Sequence, residues 1–173
     1  MSNHYHKLQR LERNNMMNFK EIIHKLQLKQ HTIATMESCT GGGVANAITN
    51  MEGASEVLKF SAVTYSNEYK IKMGVPKEII DKYTVYSSET AVAMSHAISN
   101  FAESDFGVGI TGKLNCQDPN NPTKENDAIY INIYEKETNQ DHKIELKAKK
   151  ASREENKQEI IETIIKKLTE IIS

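Results

Sequence analysis

The stretch from His31 to Ile48 admits few folds. Six residues with strand character, His31-Thr32-Ile33-Ala34-Thr35-Met36, run into Glu37-Ser38-Cys39-Thr40, then three consecutive glycines, then the apolar-spaced Val44-Ala45-Asn46-Ala47-Ile48. Read as strand, tight turn and helix start, this predicts that Ser38 lies beside unpaired backbone N–H groups, where an anion or a developing oxyanion is stabilised. Two further polar clusters, Tyr65-Ser66-Asn67-Glu68-Tyr69-Lys70 and Thr111-Gly112-Lys113, also follow strand-like runs. The three turns are therefore expected to meet at one end of a sheet and form a site there.

The rest of the chain supplies the layers that such a sheet needs. Asn18 precedes Phe19, Ile22, Ile23 and Leu26 at helical spacing, and Gly53 separates the serine segment from Val57–Thr64, which reads as a mostly buried strand. Pro76 is placed at the first position of a short helix through Lys82, and Ser87 or Ser88 caps a longer one from Glu89 to Phe101, with Ala91, Met94, Ala97, Ile98 and Phe101 on one face. Asp105–Thr111 is a strand thinned by Gly107 and Gly109, a composition that implies close packing against its backbone. Ala128–Tyr134 and His142–Ala148 read as antiparallel strands around Thr138-Asn139-Gln140, and Ser152 with Glu155 forms a capping box ahead of a stripe of isoleucines and leucine. This order of helices and strands predicts an α/β fold, a three-layer α/β/α sandwich with a mixed, mostly parallel sheet. Residues 18–173 are expected to form one domain, and the polar residues 1–17 an extension outside it.

Composition narrows the partners. A net charge of -1 over 173 residues argues against a nucleic-acid binder, since neutralising phosphates demands a basic surface. Cys39 and Cys116 stand far apart without metal-ligand spacing, which suits free thiols in a reducing cytoplasm. No apolar run approaches the roughly 18 residues of a membrane span. The chain is expected to be cytoplasmic.

Several chemistries lack their residues. There is no His-Glu-x-x-His, no Cys-x-x-Cys and no Gly-x-Ser-x-Gly. Gly107 to Lys113 approximates a phosphate-binding loop, yet Leu114 stands where a hydroxyl would hold magnesium, and Asn115 to Pro122 is a poor helix start. For Ser38 two readings remain: Ser38 or Thr40 caps the next helix, or Ser38 is a nucleophile. A nucleophile needs a base, and the histidines lie away from the three clusters. Lys70 is the better candidate, because a partly buried amine accepts a proton more readily.

With these residues the chain resembles the CinA carboxy-terminal domain family, the nicotinamide-nucleotide amidases. Glu37 through Gly42, Tyr65-Ser66-Asn67 through Lys70, and Gly74-Val75-Pro76 carry the resemblance, which covers residues 18 to 172. It implies hydrolysis of a small-molecule amide, the carboxamide of nicotinamide mononucleotide, to nicotinic acid mononucleotide and ammonia, by a homo-oligomer without metal or organic cofactor. By position, Ser38 is the implied nucleophile, with Lys70 and Tyr65 its activating or proton-shuttling partners. Thr40, Gly41 and Gly42 form the implied oxyanion and substrate pocket, and Asn67, Thr111, Gly112 and Lys113 complete the substrate contacts. Two departures stand out. The second motif reaches Gly74 one residue early, and Lys113-Leu114-Asn115-Cys116 and Lys124–Asp127 replace the family's glycine-rich third segment. Lys113 then either supplies a cation for a phosphate or is a solvated loop residue. A ligand-binding domain without catalysis, retaining the fold, is the alternative function.

Overall fold

A computed structural model describes residues 18–115 and 127–172. The extension 1–17, Cys116 and the segment 116–126 lie outside the described residues. Helix α1 (Lys20–Lys29) leads into β1 (Ile33–Glu37), and α2 (Gly43–Thr49) and a single turn α3 (Ala54–Val57) lead into β2 (Leu58–Val63). Three helices follow, α4 (Asn67–Lys72), α5 (Lys77–Tyr83) and α6 (Ser88–Ala102), before β3 (Phe106–Gly112). The chain closes with β4 (Ala128–Glu135), β5 (Gln140–Lys147) and α7 (Arg153–Ile171).

The five strands form one mixed sheet in the order β2-β1-β3-β4-β5. Strand β1 pairs parallel with β2 and β3, whereas β3–β4 and β4–β5 are antiparallel. Side-chain alternation splits the sheet into two faces. Ile33, Phe106, Val108 and Ile110 join α1, α2, α3 and α7 in one core, while Ala34 and Met36 join Val75, Ile80, Val85, Met94 and Ile98 in the other. Helices thus cover both faces, as expected. Helix α7 begins at the expected capping box of Ser152 and Glu155 and buries Ile160, Ile161, Ile164, Ile165 and Leu168. Each such side chain contributes roughly 2 kcal/mol on removal from water.

Close packing explains the glycines of β3. Gly107 and Gly109 both point at α6, where a Cβ would lie 2.1 Å from the Ser95 carbonyl oxygen and 2.3 Å from that of Ala91. The helix therefore rests on bare strand backbone, and Gly107–Gly112 is strand rather than a phosphate-binding loop.

Four local expectations need correction. Strand β2 starts at Leu58 and is half exposed because it forms the sheet edge, while Val57 ends the preceding helical turn. Pro76 is the N-cap of α5 and not its first residue. Phe101, at the C-terminal end of α6, is not buried but 61% exposed and packs on Phe60 of the edge strand, with ring centroids 5.0 Å apart. The Tyr65–Lys70 cluster is more than a turn: Ser66 accepts a bond from the Tyr69 N–H and caps α4.

Replacing Gly109 with alanine sets a Cβ against helix backbone that no rotamer change can move. The expected cost is about 3 kcal/mol, at the upper end of overpacking effects, read as a lowered urea midpoint. Wild-type stability in Gly109→Ala would show that α6 is not held against β3.

Candidate active site

Strands β1, β2 and β3 run parallel, so their C-terminal ends share one edge of the sheet. Two ladder bonds continue past that edge: Thr64 N–H donates to the Glu37 carbonyl at 2.8 Å and Ser38 N–H to that of Ile110 at 3.1 Å. They align Thr64, Ser38 and Thr111 in one further row across three strands. Helix α4 then returns over this row from the β2 side. Its residue Lys70 is 1% exposed, with Nζ donating to Ser38 Oγ at 3.1 Å and to the Thr64 carbonyl at 2.6 Å. The Ser66 cap and the left-handed Gly74, whose N–H donates to the Ile71 carbonyl, delimit the helical turn that carries the lysine.

The serine turn itself is organised by Glu37. Its carboxylate is fully buried and accepts bonds from the N–H groups of Gly42, Val44 and Ala45, at 3.1, 3.1 and 2.8 Å, and from Thr40 Oγ1 at 2.6 Å. This corrects the expectation for the turn: the donors at the start of α2 hold an internal anion and are not available to an external one. Neither Ser38 nor Thr40 caps the helix. Gly42 is the N-cap, and the Glu37 carboxylate does the work of a capping side chain. Gly41 and Gly42 adopt left-handed backbone, at φ 62° and 91°, which lets the chain wrap around that carboxylate. The turn amides outside these bonds, and outside those of Ser38, Gly41 and Gly43 to backbone carbonyls, are Cys39 and Thr40.

The remaining expected residues sit at different distances from the pair. Thr111 is buried beside Ser38 in the row, and its hydroxyl donates to the Val85 carbonyl at 2.8 Å. Gly112 lies against β4, where a Cβ would meet the Ile129 Cα at 2.7 Å, so close strand pairing accounts for it. Lys113 is not a solvated loop residue: it is 4% exposed, with Nζ 5.0 Å from the centre of the Tyr86 ring. Asn67 opens α4. Tyr65 stands apart from the pair, 65% exposed and without a hydrogen bond from its hydroxyl among the described residues. Alternation explains this, since Thr64 faces the row and its neighbour turns away. Among the described residues no histidine bonds to the pair; His96, for example, bonds Asp141 at 2.8 Å and stacks on Tyr134.

Two cations at the start of α7 border the serine turn and were not anticipated. A Cβ on Gly41 would lie 3.5 Å from Lys157 Nζ, and Arg153 donates to the Leu114 carbonyl at 2.7 Å. Their sequence signal is a pair of basic residues four apart near a helix N-terminus, where the helix dipole disfavours positive charge. Glu37 had a signal too, as an acid flanked by an apolar strand and glycines.

The family model of the CinA C-terminal domain matches residues 16–172. The chain belongs to the CinA C-terminal domain family. A CinA-like protein of Kosmotoga olearia is 39% identical over 114 residues, 65% of this chain and 27% of the relative. A putative competence-damage inducible protein of Caldanaerobacter subterraneus is 46% identical over 92 residues, 53% of this chain and 22% of the relative. The chain thus spans about a quarter of the length of these curated relatives. Among solved structures, the competence/damage inducible protein CihA from Agrobacterium tumefaciens superposes with a TM-score of 0.78 at 25% identity, covering 88% of this chain and 92% of that one. The competence or damage-inducible protein from Enterobacter asburiae gives 0.81 at 20% identity, covering 89% and 95%, and shows the shared CinA fold. Among the described residues no helix is long and apolar enough to cross a membrane.

Two outcomes follow from this CinA site. Glu37→Gln exchanges a carboxylate that accepts several bonds for an amide that brings donors of its own, and is expected to cost about 2–3 kcal/mol in urea unfolding; a variant as stable as wild type would mean that Glu37 does not hold the turn. Cys39, buried behind the turn, has its thiol pushed from 9.0 up to about 12, chiefly by burial. The folded protein keeps this proton through a range in which the unfolded chain has lost it, so the thiol's contribution to stability falls as pH rises from 9.0 towards about 12. The decline in unfolding free energy over that range should be shallower in Cys39→Ala. Equal slopes would contradict the burial.

Proposed function

We propose that this CinA domain is a serine-dependent amidohydrolase that hydrolyses the carboxamide of nicotinamide mononucleotide to nicotinic acid mononucleotide and ammonia. The observation that carries this reading is the 3.1 Å bond between Lys70 Nζ and Ser38 Oγ, in a pair shielded from water. An amide needs a nucleophile, a base to free it and an acid to protonate departing nitrogen. The pair can supply all three. Neutral Lys70 takes the hydroxyl proton as Ser38 Oγ bonds to the carboxamide carbon. It then returns that proton to the leaving nitrogen as the C–N bond breaks and ammonia departs. Water, deprotonated by the same amine, attacks the acyl-serine, releasing the carboxylate and restoring Ser38.

The Thr64 carbonyl fixes the amine from its other side, leaving Lys70 little freedom to leave the serine. Tyr65, at the exposed rim, acts in this reading through bound substrate and not through the pair. Lys113, Arg153 and Lys157 give the surroundings of the turn a positive character that suits a mononucleotide phosphate. The ligand-binding alternative draws on one observation, the occupation of the Gly42, Val44 and Ala45 amides by Glu37.

Ammonia release across nicotinamide mononucleotide, nicotinamide riboside, nicotinamide and simple amides tests both. Ser38→Ala and Lys70→Met are expected to remain folded and to lower turnover on the order of 10⁴-fold. Preference for the phosphorylated nucleotide over its riboside, seen in kcat/KM, would support the cationic rim as its phosphate site. Turnover by Ser38→Ala at the wild-type rate would remove the serine mechanism.

A further inference from the structure

The capture of the Gly42, Val44 and Ala45 amides by Glu37 leaves the Cys39 and Thr40 N–H groups as the turn's backbone donors at an acyl-transfer site. Attack on a carboxamide moves the carbonyl electron pair onto oxygen, and that charge needs donors already aimed at it. The N–H groups of Gly42, Val44 and Ala45 are spent on the carboxylate. A side-chain donor to join them is to be sought among the neighbours of Ser38 in its own row.

The row has two hydroxyl-bearing neighbours. Glu37 is in register with Val63 on β2 and with Ile110 on β3, and the extended ladder bonds place Thr64 and Thr111 on either side of Ser38. Paired residues of parallel strands present their side chains on the same face, with strands about 4.8 Å apart. Thr111 has committed its proton to the Val85 carbonyl. Thr64 has not: it is 2% exposed, and its Oγ1 is buried with no hydrogen-bond partner among the described residues. Both main-chain groups of Thr64 are already used, the N–H on Glu37 and the carbonyl on Lys70. A buried hydroxyl without a partner is costly, and such groups in native proteins call for an explanation.

We propose that Thr64 is a catalytic residue of this site, its hydroxyl donating to the oxygen of a carboxamide under attack by Ser38. This rests on the serine amidohydrolase reading above. As Ser38 Oγ bonds to the carboxamide carbon and its proton passes to Lys70, the carbonyl pair settles on oxygen and accepts the Thr64 O–H. When the carbonyl re-forms, the pair returns, the C–N bond breaks, and the nitrogen leaves as ammonia with the proton from Lys70. Thr64 keeps its proton throughout. Lys70 binds the carbonyl of the same residue that supplies the donor, so base and donor are fixed through a single backbone position.

Thr64→Val keeps the branched shape and deletes only the hydroxyl; Thr64→Ser keeps the hydroxyl and deletes a methyl. Ammonia release is measured alongside phosphonylation of Ser38 by a fluorophosphonate, in which Oγ bonds to phosphorus, fluoride leaves, the serine proton goes to the base, and a phosphoryl oxygen takes the place of the carbonyl oxygen. The expected result is a kcat for Thr64→Val reduced on the order of 10²-fold with KM little changed. Its phosphonylation should slow at least tenfold, its urea midpoint should not fall, and Thr64→Ser should recover most of both rates. Wild-type rates in Thr64→Val overturn the proposal, as does an equal loss in both variants, which would indicate packing. If the wild type hydrolyses no amide but is phosphonylated at Ser38, the substrate reading has failed, and the ratio of labelling rates alone decides on Thr64. A wild type that shows neither reaction overturns both.

Discussion

The buried Glu37 carboxylate is the contact on which the site depends. It sits one residue before the nucleophile candidate, so every bond that holds it also fixes the direction in which the chain leaves β1. Three backbone N–H groups and the Thr40 hydroxyl meet its two oxygens. Charge-assisted bonds of this kind are roughly twice as strong as neutral ones, and here they form inside the fold, where water does not compete. The glycines of the turn follow from the same contact. A chain wrapping a carboxylate within a few residues must pass through left-handed backbone, as Gly41 and Gly42 do. Ser38 is thereby held facing away from the turn and towards α4, where Lys70 waits.

The opposite face of the sheet is governed by a second constraint, the bare backbone of β3. Because Gly107 and Gly109 carry no side chains, α6 comes down onto the strand, and the segment leading into it passes close enough for the Val85 carbonyl to receive the Thr111 hydroxyl. Helix α4 belongs to the same crossover from β2 to β3. Two unrelated packing solutions, an internal anion on one face and a glycine strand on the other, therefore set the row that contains Thr64, Ser38 and Thr111.

What was legible in the chain followed from local chemistry. The α7 capping box, the glycine-thinned strand, the paired β4 and β5 and the serine turn all announce themselves within a few residues, and the structure contains each. The pairing of Ser38 with Lys70 was reached through the family resemblance and the lack of a suitable histidine. Misread features depended on position in the whole sheet. The composition of β2 suits a buried strand, and only its place at the edge exposes it; Phe101 has the spacing of the buried face of α6 but is exposed and packs on Phe60 of that edge strand. Glu37 was passed over for a different reason. Helix starts are normally read for Ser, Thr, Asp or Asn at the cap itself, whereas this acid reaches the first turn from the end of the preceding strand.

The charge around the turn carries the argument one step further. Glu37 neutralises the start of α2 from within, but the start of α7 is treated in the opposite way. Arg153 and Lys157 are four residues apart, on one face of its first turns, and like charges at that spacing destabilise a helix by a few tenths of a kcal/mol, in addition to opposing its dipole. The helix carries this arrangement where the face borders Gly41 and the Leu114 carbonyl, at the mouth of the serine turn. With Lys113 on the β3 side, the positive charge lies around the turn and the compensating carboxylate lies beneath it. An uncharged amide would gain nothing from such a rim. An anionic group bound there would relieve the repulsion between Arg153 and Lys157.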